Sequence, residues 1–434
     1  MHTLVILNPG HFHAGLVLRE PHPVLSDQIY IYAEKGPDLD RFLAMGKSFN
    51  RREKDPTRWE MHVYTGSDYL NRCIEEKSGD TVVLAGKSHT RMADIDALNR
   101  SGFSVLGDKP WVISESGLPG LESAMAADRP LSLDIMTERY EITTLLQKMF
   151  IAQPDVFGDI RIDPDGTPSV IKKSVHHLYK TVNNAPLIRP PWFFDIRVQG
   201  EGIVDVTTHL VDMTHWMLFP GQKIHYEKDI ALSDARRWTT SVPLDTFKKI
   251  TQTDRFPAAV ADHIEGDILN YFCNGGFLYR VRNVPVYIQV LWNLEIPEGG
   301  GDTHYSYMKG TRSDLLLRQG PESGFLVELL IIPKNDFESV EKAVRRCFEK
   351  WSGTYPGLSV TRENNKLLIH IPDRFRTTHE EHFCQVRNAF LQYMDTGSLP
   401  PEERTNLISK YTLLAEARKQ ALASPFEPLQ LSAG

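Results

Sequence analysis

The 434-residue chain lacks any apolar run approaching the ~20 residues that a membrane helix needs, and no membrane partner is expected. It also lacks a basic excess, with 49 Lys and Arg against 56 Asp and Glu and a formal charge of −7. Nucleic-acid binding wants a basic face, so that class of partner is set aside. Cysteine is scarce. Cys73, Cys273, Cys347 and Cys384 stand far apart and fit no zinc spacing, so reduced, buried thiols are expected and no metal is assigned. Internal repeats and low-complexity tracts are not found. The opening run, Thr3-Leu4-Val5-Ile6-Leu7, lacks the charged, apolar, small-residue order of a secretion signal. A cytoplasmic location is expected, or a periplasmic one for a chain whose leader has been trimmed.

What is present can fill a large interior, since 41% of residues are hydrophobic. The length exceeds what one core organises, which predicts two domains plus an extension. In the first third, strand-like runs at 4–7, 28–32, 61–64, 81–84, 103–106 and 131–135 alternate with helical segments at 13–19, 68–76, 91–100 and 118–127. All-apolar strands in such alternation predict a parallel sheet covered on both faces. From about residue 140 the pattern changes. A helix at 141–151 leads into half-buried strands at 170–178, 276–281 and 286–294, with a helix at 206–218 between them, as in an antiparallel or mixed sheet. A strand at 325–332, a helix at 337–351, a strand at 367–371 and helices at 380–393 and 401–422 follow. The expected division is a nucleotide-binding domain at 1–135 and a substrate and oligomerisation domain at 136–434, of which 325–434 reads as an added extension.

Several segments carry chemistry. The first strand runs into Asn8-Pro9-Gly10-His11-Phe12-His13-Ala14-Gly15. A strand, a glycine turn and a helix start present backbone N–H groups and a helix dipole to a pyrophosphate. Only Gly10 fits the glycine fingerprint, because Asn8 and His13 occupy glycine places; an ordinary βα loop is the alternative. Glu34 closes the second strand, where a carboxylate accepts hydrogen bonds from ribose hydroxyls and repels a 2′-phosphate. This favours NAD over NADP, with a solvated loop carboxylate as the alternative. Asp108-Lys109-Pro110 follows a buried strand, which points the lysine into the crevice where ligands sit in parallel sheets, unless it is a surface loop residue. In Gly200-Glu201-Gly202-Ile203-Val204-Asp205-Val206-Thr207-Thr208-His209-Leu210-Val211-Asp212, a helical backbone puts Asp205 on one face with His209 and with Asp212. A carboxylate beside an imidazole suits a general base, while a structural histidine is the plainer reading. Trp192 and Phe193, beside Arg189 and Asp195, offer an apolar platform with polar handles for a sugar ring, or core packing. His176 and His177 are neighbours on a strand, so alternation sends one in and one out.

Taken together these segments resemble the glucose–fructose oxidoreductase, inositol dehydrogenase and rhizopine-catabolism family, the Gfo/Idh/MocA group. Asp108-Lys109-Pro110 matches its acidic-lysine-proline signature, with aspartate for the commoner glutamate. Gly200-Glu201-Gly202 with Asp205, His209 and Asp212 matches its glycine-turn and aspartate/histidine motif, and Met308-Lys309-Gly310-Thr311 its late strand-turn segment. Gly10-His11-Phe12-His13-Ala14 and Gly299-Gly300-Gly301-Asp302-Thr303-His304 are similar to a branch of oxidoreductases from gut and soil Bacteroidetes. The chain departs from the family in its glycine fingerprint and at Ala85-Gly86-Lys87-Ser88-His89, where Thr-Pro is usual.

The resemblance implies an α/β fold: an N-terminal Rossmann dinucleotide-binding domain and a C-terminal α+β domain with a large, mostly antiparallel sheet. It implies NAD-dependent oxidation of a ring hydroxyl of a sugar or glycoside to a keto-sugar. His209 then takes the hydroxyl proton, Lys109 stabilises the developing alkoxide and Asp205 positions the pair. Cofactor contacts are implied at Gly10, His11, Phe12, His13, Glu34, Gly86, Lys87, His89, Asp108, Lys109 and Pro110. Substrate contacts are implied at His177, Arg189, Trp192, Asp195 and Asp212, and a homo-oligomer through the C-terminal sheet. A second reading is an NAD-assisted glycoside lyase or hydrolase with transient C3 oxidation, needing one further base, His177 or Tyr179. A third, of another class, is a non-catalytic sugar or nucleotide sensor.

Overall fold

The structure, a computed structural model, describes residues 1–182 and 185–429. The chain forms two compact units. The first comprises Met1–Thr137, Trp192–Gly200 and Thr378–Ala415, and the second comprises Glu138–Pro191, Glu201–Thr377 and Glu416–Gly434.

The first unit is built on six strands: β1 (Leu4–Leu7), β2 (Gln28–Ala33), β3 (Glu60–Thr65), β4 (Thr81–Leu84), β5 (Ser104–Gly107) and β6 (Ser132–Asp134). They pair in parallel, in the order β3-β2-β1-β4-β5-β6. Every residue of β1 and β4 is buried, as expected of strands covered on both faces, whereas β3 at the sheet edge is mostly exposed. The order reverses between β1 and β4, which is where a Rossmann sheet opens its ligand crevice.

Two later parts of the chain belong here too. Arg387, buried on the helix His379–Thr396, donates to the Val17 and Glu20 carbonyls. Lys410 and Tyr411 each lie 2.8 Å from the buried Asp134 carboxylate at the end of β6. The sequence places all of 136–434 in the substrate domain. The observed division is different, because buried charges at 387 and 410 find their partners within the first unit.

The second unit holds a ten-stranded mixed sheet. Its centre is β7 (Val170–Tyr179), which pairs parallel with Val284–Glu295 and antiparallel with Thr303–Met308. The other pairings are antiparallel and run out to Ile230–Pro243 on one side and Ser359–Glu363 on the other. Helix Thr207–Leu218 packs on β7 and Val284–Glu295. The expected fold class is therefore the observed one. Among the described residues no helix is long and apolar enough to cross a membrane.

Candidate active site

In the first unit the site residues collect at the carboxyl ends of β1, β4 and β5. The Gly10 and His11 amides both donate to the Ala85 carbonyl at the end of β4, at 3.0 and 2.9 Å. A Cβ on Gly86 would stand 2.6 Å from the Asn8 carbonyl oxygen, and one on Gly10 would stand 3.1 Å from the Trp192 ring and 3.3 Å from the Gly86 Cα. Two backbones therefore meet without side chains at the switch point, where ligands sit in such sheets, although the fingerprint is incomplete. Asn8 adopts a positive φ of 41°, tolerable for asparagine, and its side chain accepts the Glu34 amide at 3.3 Å. Glu34 is exposed just past β2, where the ribose reading needs it.

The loops after β4 and β5 are joined by Arg91, a residue the sequence motifs do not flag. Its buried guanidinium donates to the carbonyls of Gly86, Asp108 and Pro110 at 2.6–2.8 Å. The arginine thus positions both the Gly86–His89 loop and the Asp108–Lys109–Pro110 loop. Ser88 and His89 amides donate to Val198. Burial lowers the His89 pKa, and the Lys87 ammonium adds to that.

Asp108 is buried, with its Oδ2 2.9 Å from His13 Nδ1 and 3.6 Å from His11 Nδ1, while Oδ1 accepts the Lys109 amide at 3.0 Å. Burial pushes the Asp108 carboxyl up, but His13 and His11 outweigh it and hold it well below the usual carboxylate range. Burial drives His13 well below the usual imidazole value despite Asp108. The Phe12 ring lies 4.5 Å from each of the His11 and His13 rings, tilted against the first and edge-on to the second. Trp192, expected as a sugar platform, lies in this unit beside Gly10 and donates its indole N–H to Asp38 at 2.9 Å.

In the second unit Gly202 is pressed against a strand. A Cβ there would lie 1.7 Å from the Cys273 carbonyl oxygen, so only glycine fits. This contact fixes the turn that carries Asp205. Asp205 precedes the helix Thr207–Leu218, its carbonyl accepting from Thr208, and His209 accepts no place in a regular turn with it, since its amide bonds Val206 in a tighter i→i+3 step. Asp205 is buried and is an electrostatic neighbour of Arg189 and Tyr271; His209 is half-buried. Asp212, expected to touch substrate, is taken by Arg139 in a two-pronged pair at 2.6 and 2.8 Å. Asp195 is likewise engaged, capping Ile196–Gln199 and pairing with Arg197. Buried Arg189 braces β7 through the Leu178 and His177 carbonyls and stacks 5.1 Å over Trp292.

His176 is half-buried and His177 buried on β7, a difference that alternation expects, yet one carboxylate reaches both. Asp302, just ahead of Thr303–Met308, approaches both imidazoles: His177 Nδ1 at 2.9 Å and His176 Nδ1 at 3.4 Å. Lys180 adds an ammonium at 2.6 Å. Burial works against the ionised Asp302, yet His176 and Lys180 hold its carboxyl far below the usual range. Ser174 joins His176 and His304 at 2.6 and 3.1 Å. Asp302 and His304 were legible only as part of a glycine-rich phrase.

Comparison with known proteins adds family and fold. The family description "Putative oxidoreductase C terminal domain" matches residues 146–422. A solved oxidoreductase structure from Parabacteroides merdae is 41% identical, with a TM-score of 0.93 over 97% of this chain and 98% of that one. Levoglucosan dehydrogenase in complex with NADH and levoglucosan has the same fold at 12% identity, with a TM-score of 0.62 and 97% of each chain covered. A 3-ketoreductase from Actinomadura kijaniata, in complex with NADP and TDP-benzene, does so at 12% identity and a TM-score of 0.59, over 96% of this chain and 97% of that one. No curated protein matches the sequence.

Proposed function

We propose, from the fact that this chain belongs to the Gfo/Idh/MocA oxidoreductase family, that it oxidises a ring hydroxyl of a sugar or glycoside to a keto-sugar with NAD. The observation that carries the reading is the side-chain-free meeting of Gly10 and Gly86 at the sheet's switch point, with the Lys109 loop clamped beside it by Arg91. Sugars bound by fold neighbours such as levoglucosan dehydrogenase support the substrate class. A bound dinucleotide supplies the hydride acceptor.

The chain's own groups do the rest. His209 takes the proton of the reacting hydroxyl, and Lys109 donates a hydrogen bond to the oxygen as charge develops on it. Asp205 orients this pair. Gly10, His11, Phe12, His13, Gly86, Lys87, His89, Asp108 and Pro110 line the dinucleotide side, and Glu34 accepts the ribose hydroxyls. His177 remains as a substrate contact, while Asp195 and Asp212, engaged by arginines, act as braces. The enzyme works as a cytoplasmic homo-oligomer.

The test is a screen of glycosides and free sugars that follows both NADH absorbance and released aglycone. Lys109→Ala and His209→Ala are each expected to lower turnover at least about a hundredfold with dinucleotide binding kept. Wild-type rates in both variants would remove the mechanism. Glu34→Ala is expected to weaken NAD more than NADP, and equal weakening withdraws the ribose assignment. One observation favours the lyase reading as a second: the His177 imidazole is oriented by Asp302, as a further base requires. Aglycone release with catalytic NAD, lost in His177→Ala, would select it.

A further inference from the structure

The sequence assigns no metal, yet the loop after β1 and the loop after β5 bring a donor set together. One ligand atom each from His11, His13 and Asp108 lies within 4.8 Å of the others. A divalent ion with ligands at ~2.1 Å separates neighbouring donors by about 3.0 Å in octahedral and about 3.4 Å in tetrahedral geometry. The two imidazole-to-carboxylate separations, 2.9 and 3.6 Å, bracket these values. Both imidazoles turn the same nitrogen, Nδ1, toward the same oxygen, Oδ2, with their rings edge-on at 88° and centroids 4.0 Å apart. That convergence is what a shared ion asks of three ligands.

The supports around them are those of a held site. The His11 amide is anchored on Ala85, and the Asp108 backbone carbonyl is held by Arg91. Oδ1, the oxygen not facing the histidines, accepts the Lys109 amide and so fixes the carboxylate plane. The His13 ring packs 4.4 Å from Phe383, an apolar backing that restrains its rotamer. The donor types, two imidazoles and one carboxylate, suit zinc and its first-row neighbours better than calcium or magnesium.

We propose that His11, His13 and Asp108 bind one divalent transition-metal ion, with the remaining coordination positions open to water or to a ligand oxygen. One of the glycine places of the fingerprint, taken by His13, serves this ion instead. The site stands apart from the sugar reading: the ion can be absent from a working sugar oxidoreductase, or present in a chain that oxidises no sugar.

The experiment therefore uses the full-length protein without sugar or dinucleotide. Protein stripped with chelator is titrated with Zn²⁺ and, separately, with Co²⁺. The expected result is one ion per chain, imidazole-type Co²⁺ absorption bands and a rise in melting temperature with zinc. Asp108→Asn is expected to weaken zinc at least about a hundredfold, and His11→Asn, at a less buried position than Asp108, at least about tenfold. His176→Asn, in the other imidazole–carboxylate cluster, is the control and keeps wild-type affinity. No stoichiometric uptake, or uptake unchanged in His11→Asn, overturns the proposal and leaves a hydrogen-bonded imidazole–carboxylate cluster only.

Discussion

Each unit sets a carboxylate against two histidines, buried at Asp108 and half-buried at Asp302, and the two are satisfied in different ways. Around Asp108 the histidines come from one short turn, two residues apart, and point one nitrogen each at a single oxygen. Around Asp302 they are adjacent on a strand, reach different oxygens, and share the carboxylate with the Lys180 ammonium. Two histidines and an aspartate thus give a convergent donor set in one place and a charge-compensated hydrogen-bond cluster in the other. Composition of a cluster does not settle its chemistry; the direction of each lone pair and the presence of an ammonium do.

The largest expected effect breaks the second cluster. Asp302→Asn removes the counter-charge of Lys180 and one of the two oxygens that face the imidazoles, at a cost of about 2–3 kcal/mol at pH 7 in urea unfolding. The sign follows from the depressed folded pKa of Asp302: its contribution is complete above the unfolded carboxyl value of ~3.9 and fades as pH falls below it. Equal stability of the two proteins at pH 7 would show that the cluster is not held by charge.

A smaller effect sharpens the contrast with a third buried charge, Lys172, five residues before His177 on β7. Among the described residues its ammonium has only Ser306 Oγ at 2.8 Å and the Met217 sulfur at 3.9 Å, and burial lowers its pKa to about 7. Here the charge is relieved by losing the proton and not by pairing. Between pH 7 and 10.5 the unfolded chain binds a proton that the folded chain does not, so stability rises with pH by up to about 1.4 kcal/mol per unit. Lys172→Met is expected to lose that slope, read by denaturant melts at pH 7, 8 and 9. An unchanged slope would mean that Lys172 stays charged when folded.

Much of the fold was legible because burial on both faces writes long apolar runs. β1, β4 and the helix Arg91–Arg100 lie where their patterns predict. Elements with little burial were not. The helix Pro37–Arg51 buries only Leu39, Phe42 and Gly46, and the edge strand Ile230–Pro243 only Ala235, Arg237 and Val242. Neither carries a period strong enough to stand out. Lys109 and His209 are proposed from motifs, whereas Arg91, Arg139 and Lys180 act through carbonyls and carboxylates distant in sequence, which no spacing marks.

By itself the sequence determined the alternation of strand and helix and the glycine turns at Gly10 and Gly202, because these depend on local periodicity and backbone freedom. Only the tertiary structure decided which carboxylates are already spoken for and where two imidazoles converge. Those outcomes depend on distances between segments that the chain order leaves open.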